Sequence, residues 1–133
     1  MKIALLVVSH SKKLAEGVKE LVSQMANGVT IEAVGGMSDG TLGTDSIAIS
    51  EAMGALALEN DKVLTFMDLG SGVISSQMAM DLLEEDVRAK VQLVDASLIE
   101  GAFTAGVLIY AGMPIEEIIR QAENAGKSKK IYE

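Results

Sequence analysis

His10, the only histidine of the chain, and Asp68 each lie just after an apolar segment, Ile3–Val8 and Lys62–Met67 respectively. A neutral imidazole has one nucleophilic nitrogen. A carboxylate that accepts a hydrogen bond from the other nitrogen fixes the tautomer and supports the cation formed on attack. His10 and Asp68 are therefore candidates for nucleophilic catalysis in which a phosphoryl group is carried on His10.

Small and hydroxyl-bearing residues surround both candidates. Helices are predicted to begin just after each of them, and the free amides at a helix N-terminus bind anions. The predicted phosphate-binding residues are Ser9, Ser11, Gly70, Ser71 and Gly72. A second interpretation stays open from the pattern alone: both segments only cap helices, with His10 incidental and Asp68 a turn residue. Dinucleotide binding by the Gly70–Gly72 turn is disfavoured, because a third glycine is missing from the motif.

A glycine-rich segment, residues 35–45, lies between the second predicted strand and the second predicted helix. It is interpreted either as a loop above His10 that faces phosphate or a partner, or as a flexible turn after which Thr44 or Asp45 caps the second helix. The candidate partner-facing residues are Met37, Asp39, Gly40, Leu42, Gly43 and Thr44. The segment is not a Walker A motif. Carboxylate spacing does not support a metal site, so no metal is predicted.

Two kinds of segment alternate along the chain and must position these residues. Apolar segments predict buried strands at Lys2–Val8, Val29–Val34, Lys62–Met67 and Lys90–Val94.

Spacing of 3.6 residues predicts helices between these strands. The first three have apolar stripes at Leu14, Val18, Leu21, Val22 and Met25; at Ile47, Ile49, Met53, Leu56 and Leu58; and at Ile74, Met78, Leu82 and Leu83. Residues 98–110 predict a buried helix, and Pro114 begins another that ends at Gly126, before a charged tail at 127–133. Residues 84–86 are expected to be a solvated end of the third helix.

This alternation predicts an α/β fold: one doubly wound domain over residues 1–133, with a mainly parallel four-stranded sheet in the order 2-1-3-4. Helices are expected on both faces. In such a sheet, ligands bind beyond the carboxyl ends of the strands where the winding reverses. The reversal lies between strands one and three, so His10 and Asp68 are expected to be neighbours.

Composition excludes several functional classes. The 133 residues are 49% hydrophobic, carry a net charge of -8 and contain no cysteine. Disorder, disulfides and zinc thiolate sites are thereby excluded. The negative charge disfavours nucleic acid and anionic membranes as partners. The longest uncharged segment, residues 101–115, is too short to span a bilayer. A cytoplasmic location is expected.

The motifs together resemble a known family. Val-Ser-His10-Ser, Gly-Gly-x-x-Asp39-Gly40-x-Leu42-Gly43-Thr44-Asp45 and Asp68-Leu69-Gly70-Ser71 are spread over nearly the whole chain. They are similar to the DhaM family, the phosphotransferase subunits of PEP-dependent dihydroxyacetone kinases, which is related to enzyme IIA of the mannose type.

The resemblance implies that His10 accepts a phosphoryl group from the carrier HPr, with Nε2 the expected nitrogen and Asp68 its orienting carboxylate. His10 then passes the group to ADP on the nucleotide-binding subunit of the kinase, which supports phosphorylation of dihydroxyacetone. A homodimer, a general HPr acting in trans and no cofactor are also implied. Two alternatives stay open: a mannose-type enzyme IIA that feeds a sugar permease, and a non-enzymatic nucleotide-sensing module.

Overall fold

In a computed structural model, which describes residues 1–132, four parallel strands form one sheet. The strands are β1 (Ile3–Ser9), β2 (Ile31–Gly35), β3 (Lys62–Met67) and β4 (Val91–Leu93). Their order is β2-β1-β3-β4, as predicted. Val8 is aligned with Met67, so the chain leaves β1 and β3 at neighbouring points of the carboxyl edge. This register explains why His10 and Asp68 meet.

Six helices surround the sheet: α1 (Lys12–Met25), α2 (Ser46–Glu59), α3 (Gly70–Asp81), α4 (Glu85–Arg88), α5 (Leu98–Tyr110) and α6 (Ile115–Ala125). One apolar core joins the sheet to α1, α5 and α6, and the other joins it to α2 and α3. Every residue of β1 is buried because the strand is covered on both faces. The predicted doubly wound arrangement is therefore confirmed. Glu133, the last residue of the predicted domain and tail, lies outside the described residues.

Side-chain caps fix where two of the helices begin. The hydroxyl of Ser11 accepts a hydrogen bond from the amide of Leu14 and caps α1. The carboxylate of Asp45, rather than the hydroxyl of Thr44, caps α2 by accepting from the amides of Ile47 and Ala48. Thr44 is therefore free to make other contacts.

The prediction that residues 84–86 end the third helix is wrong. Helix α3 ends at Asp81, and Glu84 is the N-cap of the separate short helix α4. Glu85 and Asp86 lie in the first turn of α4, where negative charge is favoured by the helix dipole.

Three residues of the predicted apolar stripe of α3 do not face the core, whereas the fourth, Leu83, packs against it just after the helix ends. Ile74, Met78 and Leu82 have exposed fractions of 59%, 54% and 60%. The helix instead contacts the sheet through small buried residues, Gly72, Ser76 and Ala79. The outer residues of the two earlier stripes are exposed as well: Leu14, Leu21, Met25, Ile47 and Leu58.

Among residues 1–132, no helix is both long enough and apolar enough to cross a membrane.

Candidate functional site

His10 and Asp68 meet at the carboxyl edge of the sheet, where β1 and β3 end. The Nδ1 atom of His10 lies 3.0 Å from Oδ1 of Asp68. The carboxylate is an acceptor only, so in the neutral imidazole the proton is on Nδ1 and the lone pair is on Nε2. The His10 side chain is 25% exposed and that of Asp68 is 9% exposed. The nucleophilic nitrogen can therefore be reached while its supporting carboxylate stays shielded.

Four donors surround the Asp68 carboxylate. Its Oδ2 accepts from the hydroxyl of Ser9 and the amide of His10, both at 2.9 Å. Its Oδ1 accepts from Nδ1 of His10 and from the amide of Leu69 at 2.7 Å. Burial acts to raise the pKa of Asp68, but these hydrogen bonds outweigh it and hold the pKa below the usual 3.8. Asp68 is therefore a fixed anion at neutral pH.

The other imidazole nitrogen faces the first turn of α3. The hydroxyl of Ser71 hydrogen-bonds to Nε2 of His10. Because Nδ1 holds the proton, the Ser71 hydroxyl is the donor. Helix α3 begins after Leu69, whose side chain cannot cap the first-turn amides. Nε2 of His10 therefore faces the N-terminus of α3, and the free amides of a helix N-terminus favour the binding of an anion.

Gly72 permits the close packing of α3 on His10 and Asp68. A Cβ atom at this position would lie 2.8 Å from Oδ1 of Asp68 and 3.8 Å from Cε1 of His10. The first of these distances is shorter than a van der Waals contact. A residue larger than glycine would therefore displace either the carboxylate or the helix.

The five predicted phosphate-binding residues divide into two groups. Gly70, Ser71 and Gly72 form the first turn of α3 beside His10. Ser9 is buried, and its hydroxyl donates to Asp68 and accepts from the amide of Ser11. The hydroxyl of Ser11 is engaged as the cap of α1. The hydroxyls of Ser9 and Ser11 therefore order the catalytic strand end.

The loop after β2 has an exposed outer part. Met37 and Leu42 are 40% and 78% exposed. The Asp39 carboxylate accepts from both the amide and the hydroxyl of Thr41, and Gly40 has a φ of +88°. These contacts are local, so the outer part keeps its own turn; Leu42 faces outward, whereas the Met37 side chain lies against Gly43.

The inner part of the same loop is attached to the site. The amide of Gly43 donates to the carbonyl of His10 at 2.9 Å. The hydroxyl of Thr44 lies 2.6 Å from the hydroxyl of Ser75 and 3.4 Å from the carbonyl oxygen of Ser71. Ser75 was not predicted as a site residue, and its only signal in the sequence is its position one helical turn after Ser71. Within residues 1–132, no group of three or more His, Asp or Glu side chains could hold a metal ion.

Several known proteins are similar to this chain over nearly its whole length. A family model described as the PTS system fructose IIA component (EIIA-man) matches residues 4–122. The phosphoryl donor subunit DhaM of a PEP-dependent dihydroxyacetone kinase from Klebsiella michiganensis is 39% identical over 97% of this chain. The chain spans only 28% of the length of that relative.

Shorter proteins match over nearly their whole length. The DhaM subunit of PEP-dependent dihydroxyacetone kinase 2 from Listeria innocua is 35% identical over 92% of this chain and 98% of its own. The crystal structure of EF1359, a protein of unknown function, superposes with a TM-score of 0.84 and 45% identity, covering 96% of this chain and 98% of its own.

Proposed function

This chain belongs to the EIIA-man family, within its DhaM branch, and on that premise we propose that it carries a phosphoryl group on Nε2 of His10. The donor is the phosphocarrier HPr, and the acceptor is ADP on the nucleotide-binding subunit of a dihydroxyacetone kinase. One observation carries the proposal: Asp68 holds the proton on Nδ1, while Nε2 faces the first turn of α3. Because both proposed partners are expected in the cytoplasm, the reaction is proposed to occur there.

The first transfer needs no proton to leave the site. The lone pair of Nε2 forms a bond to phosphorus, and the bond from phosphorus to the donor histidine breaks. The electron pair of that broken bond stays on the donor nitrogen. His10 becomes an N-phosphorylated imidazolium whose positive charge lies beside Asp68. The amides of the α3 first turn stabilise the equatorial oxygens of the phosphoryl group.

The second transfer reverses these roles. A terminal oxygen of ADP attacks phosphorus, the bond to Nε2 breaks, and the electron pair returns to the imidazole of His10. ATP is formed on the partner subunit, where it phosphorylates dihydroxyacetone. Positioning and charge stabilisation account for most of the catalysis in such transfers, so a rigid His10–Asp68 pair suits both directions.

Partner docking is assigned to the exposed outer part of the loop. The chain carries a net charge of -8, and Leu42 offers an apolar contact beside the site. Leu42→Asp should abolish transfer while leaving the melting temperature unchanged; Met37→Asp should act in the same way. Leu58→Asp is the matched control, because Leu58 is 83% exposed on α2, away from the loop. Equal rates for Leu42→Asp and Leu58→Asp would exclude the loop as the docking surface.

A second copy of this chain is proposed to cover the outward face of α3. Large apolar side chains on this face, those of Leu69, Val73, Ile74, Met78 and Leu82, are each at least 37% exposed. They expose on the order of 500 Å², against ~800 Å² buried per partner in a stable interface. Between Asp68 and Asp81 the sequence has no charged residue. Two copies of an acidic chain can therefore meet over the middle of α3, with the Asp81 carboxylate at the end of the contact.

Sedimentation velocity tests this surface. Met78→Lys should convert a dimer into monomers, whereas Leu58→Lys should leave the dimer intact. A wild-type chain that sediments as a monomer at micromolar concentration would refute the homodimer. A dimer that survives Met78→Lys would exclude the α3 face.

Intact-mass spectrometry at alkaline pH tests the carrier function. After incubation with PEP, enzyme I and HPr, the chain should gain one acid-labile phosphoryl group, and His10→Ala should gain none. The sequence has one histidine, so any phosphohistidine can be only at His10. Addition of ADP with the nucleotide-binding subunit should discharge the group. Absence of phosphorylation, with HPr shown to be active on another acceptor, would refute the proposal.

Two further measurements, discharge to a sugar permease and nucleotide binding, separate the alternatives. Discharge only by a sugar permease would indicate a mannose-type enzyme IIA. Nucleotide binding that survives His10→Ala would indicate a sensing module.

A further inference from the structure

The inner part of the 35–45 loop bridges the two elements that form the site. Gly43 donates its amide to the carbonyl of His10 on one side. Thr44 contacts Ser71 and Ser75 of α3 on the other. Thr44 is half-buried, in contrast to the exposed Leu42 two residues earlier. The loop therefore has a structural connection to the reacting nitrogen that does not involve a docked partner.

We propose that Thr44 is a positioning residue for phosphoryl transfer: its hydroxyl holds the first turn of α3 against His10 while the Ser71 side chain moves. This inference rests on the proposed carrier function and deepens it. Thr44 does not touch the reacting atoms and acts through Ser71 and Ser75.

The hydrogen-bonding capacity of the three groups supports one arrangement. The Thr44 hydroxyl has a single proton, and the carbonyl of Ser71 can only accept. Thr44 therefore donates to the Ser71 carbonyl oxygen at 3.4 Å, and Ser75 donates to Thr44 at 2.6 Å. Both contacts are made to α3, one at its first turn and one a turn later. Together they fix the helix end relative to the loop.

Phosphorylation makes this attachment necessary. In the free protein the Ser71 hydroxyl donates to Nε2 of His10. Once Nε2 has bonded to phosphorus it has no lone pair to accept that hydrogen bond, so the hydroxyl must turn away. The backbone amides of the first turn must stay in place to face the phosphoryl oxygens. The Thr44 hydroxyl is bonded to the carbonyl oxygen of Ser71, so it can hold the peptide group between Ser71 and Gly72 during this rotation.

Rapid-quench phosphorylation tests the role over a range of HPr concentrations. Thr44→Val keeps the shape of the side chain but removes the hydroxyl, and should lower the maximal rate about fivefold to tenfold, the loss expected for one hydrogen bond. The half-saturating concentration of HPr should not change. Thr44→Ser should restore the rate to within twofold. Thr104→Val is the matched control, because Thr104 is a half-buried threonine of α5, which packs on the opposite face of the sheet from α3.

Two kinetic outcomes would overturn the inference. An unchanged maximal rate in Thr44→Val would show that the hydroxyl has no part in transfer. A raised half-saturating concentration at an unchanged maximal rate would show that Thr44 is a partner contact.

A nitrogen-15 NMR measurement of His10 decides the inference without any phosphoryl donor. Thr44→Val should shift the Nε2 resonance, because the Ser71 hydroxyl loses its alignment, and Thr104→Val should leave that resonance unchanged. If the wild-type chain takes no phosphoryl group, the carrier function fails on that result alone. An unchanged Nε2 resonance in Thr44→Val would then refute the positioning role separately.

Discussion

Replacement of Asp68 by asparagine is the most direct test of the catalytic pair. The side chain keeps its shape but loses its charge and one of its two acceptor atoms. Each carboxylate oxygen accepts two hydrogen bonds, so the new amide group must face two donors. If that group turns toward Nδ1, it also forces the wrong tautomer on His10.

The size of the effect follows from the 3.0 Å distance between Nδ1 and Oδ1. At that separation, a unit charge pair interacts by about 1.4 kcal/mol in water and about 5.5 kcal/mol at an effective dielectric constant of ~20. His10 is 25% exposed, so its environment lies between these limits. A loss of about 3 kcal/mol corresponds to a rate reduced by ~150-fold.

The assay is single-turnover phosphorylation of His10 at saturating HPr, read by intact mass. Asp61→Asn is the control, because Asp61 accepts from the amide of Lys2 on an exposed part of the chain, far from His10. Phosphorylation of a folded Asp68→Asn variant at the wild-type rate would refute the reasoning. It would mean that the carboxylate only orders the strand ends.

Acid unfolding gives an independent check on Asp68. Its pKa in the folded protein lies below 3.8, so ionised Asp68 stabilises the fold above about pH 3.8, and this contribution is lost as the pH falls through the folded value. The difference in unfolding free energy between the wild type and Asp68→Asn should therefore be largest above about pH 5 and shrink as the pH falls from about 4 through the folded pKa. A constant difference over that range would contradict the assigned charge.

Three further substitutions test the packing around the site. Gly72→Ala should slow phosphorylation at least tenfold, because the new Cβ would lie 2.8 Å from Oδ1 of Asp68, whereas Gly54→Ala, which has open space around it, should not. Equal phosphorylation rates for the two variants would contradict the close approach. Thr65→Val removes a buried hydroxyl that has no hydrogen-bond partner among residues 1–132, and should keep or raise the melting temperature. Ser76→Ala should do the same for the same reason, and a melting temperature lowered by more than a few degrees would show that these hydroxyls are hydrogen-bonded after all.

The sheet and the proximity of His10 and Asp68 could be predicted because they depend on signals local to the sequence. Apolar segments give the strands, and the rule for parallel sheets brings the ends of strands one and three together. His10 and Asp68 follow from that topology without any knowledge of side-chain conformation. The bounds of β3 are those predicted, while β2 begins at Ile31 instead of Val29 because the chain turns at Gly28, whose φ is +92°.

The role of the 35–45 loop could not be predicted because it depends on backbone conformation. The direction of Thr44 follows from turns at Gly40 and Gly43, whose φ values are +88° and +148°. Residue types alone allowed Thr44 to be a cap, a partner contact or a phosphate ligand. The structure makes Asp45 the cap and turns Thr44 toward α3. A pattern of hydroxyls and glycines cannot distinguish these outcomes.

The wrong orientation predicted for α3 and the geometry of the site have the same cause. Periodicity of large apolar residues predicted that Ile74 and Met78 face the sheet, but the helix packs on it through Gly72, Ser76 and Ala79. Small residues let the axis of α3 approach the sheet closely, and this approach brings its first turn to Nε2 of His10. Large side chains on the inner face would move the helix outward and separate Ser71 from the nucleophile. The same small residues leave the large ones facing outward, where a second copy of the chain can bury them. The small inner residues of α3 thus bring its first turn to Nε2 of His10, and they leave the large residues exposed for the proposed dimer contact.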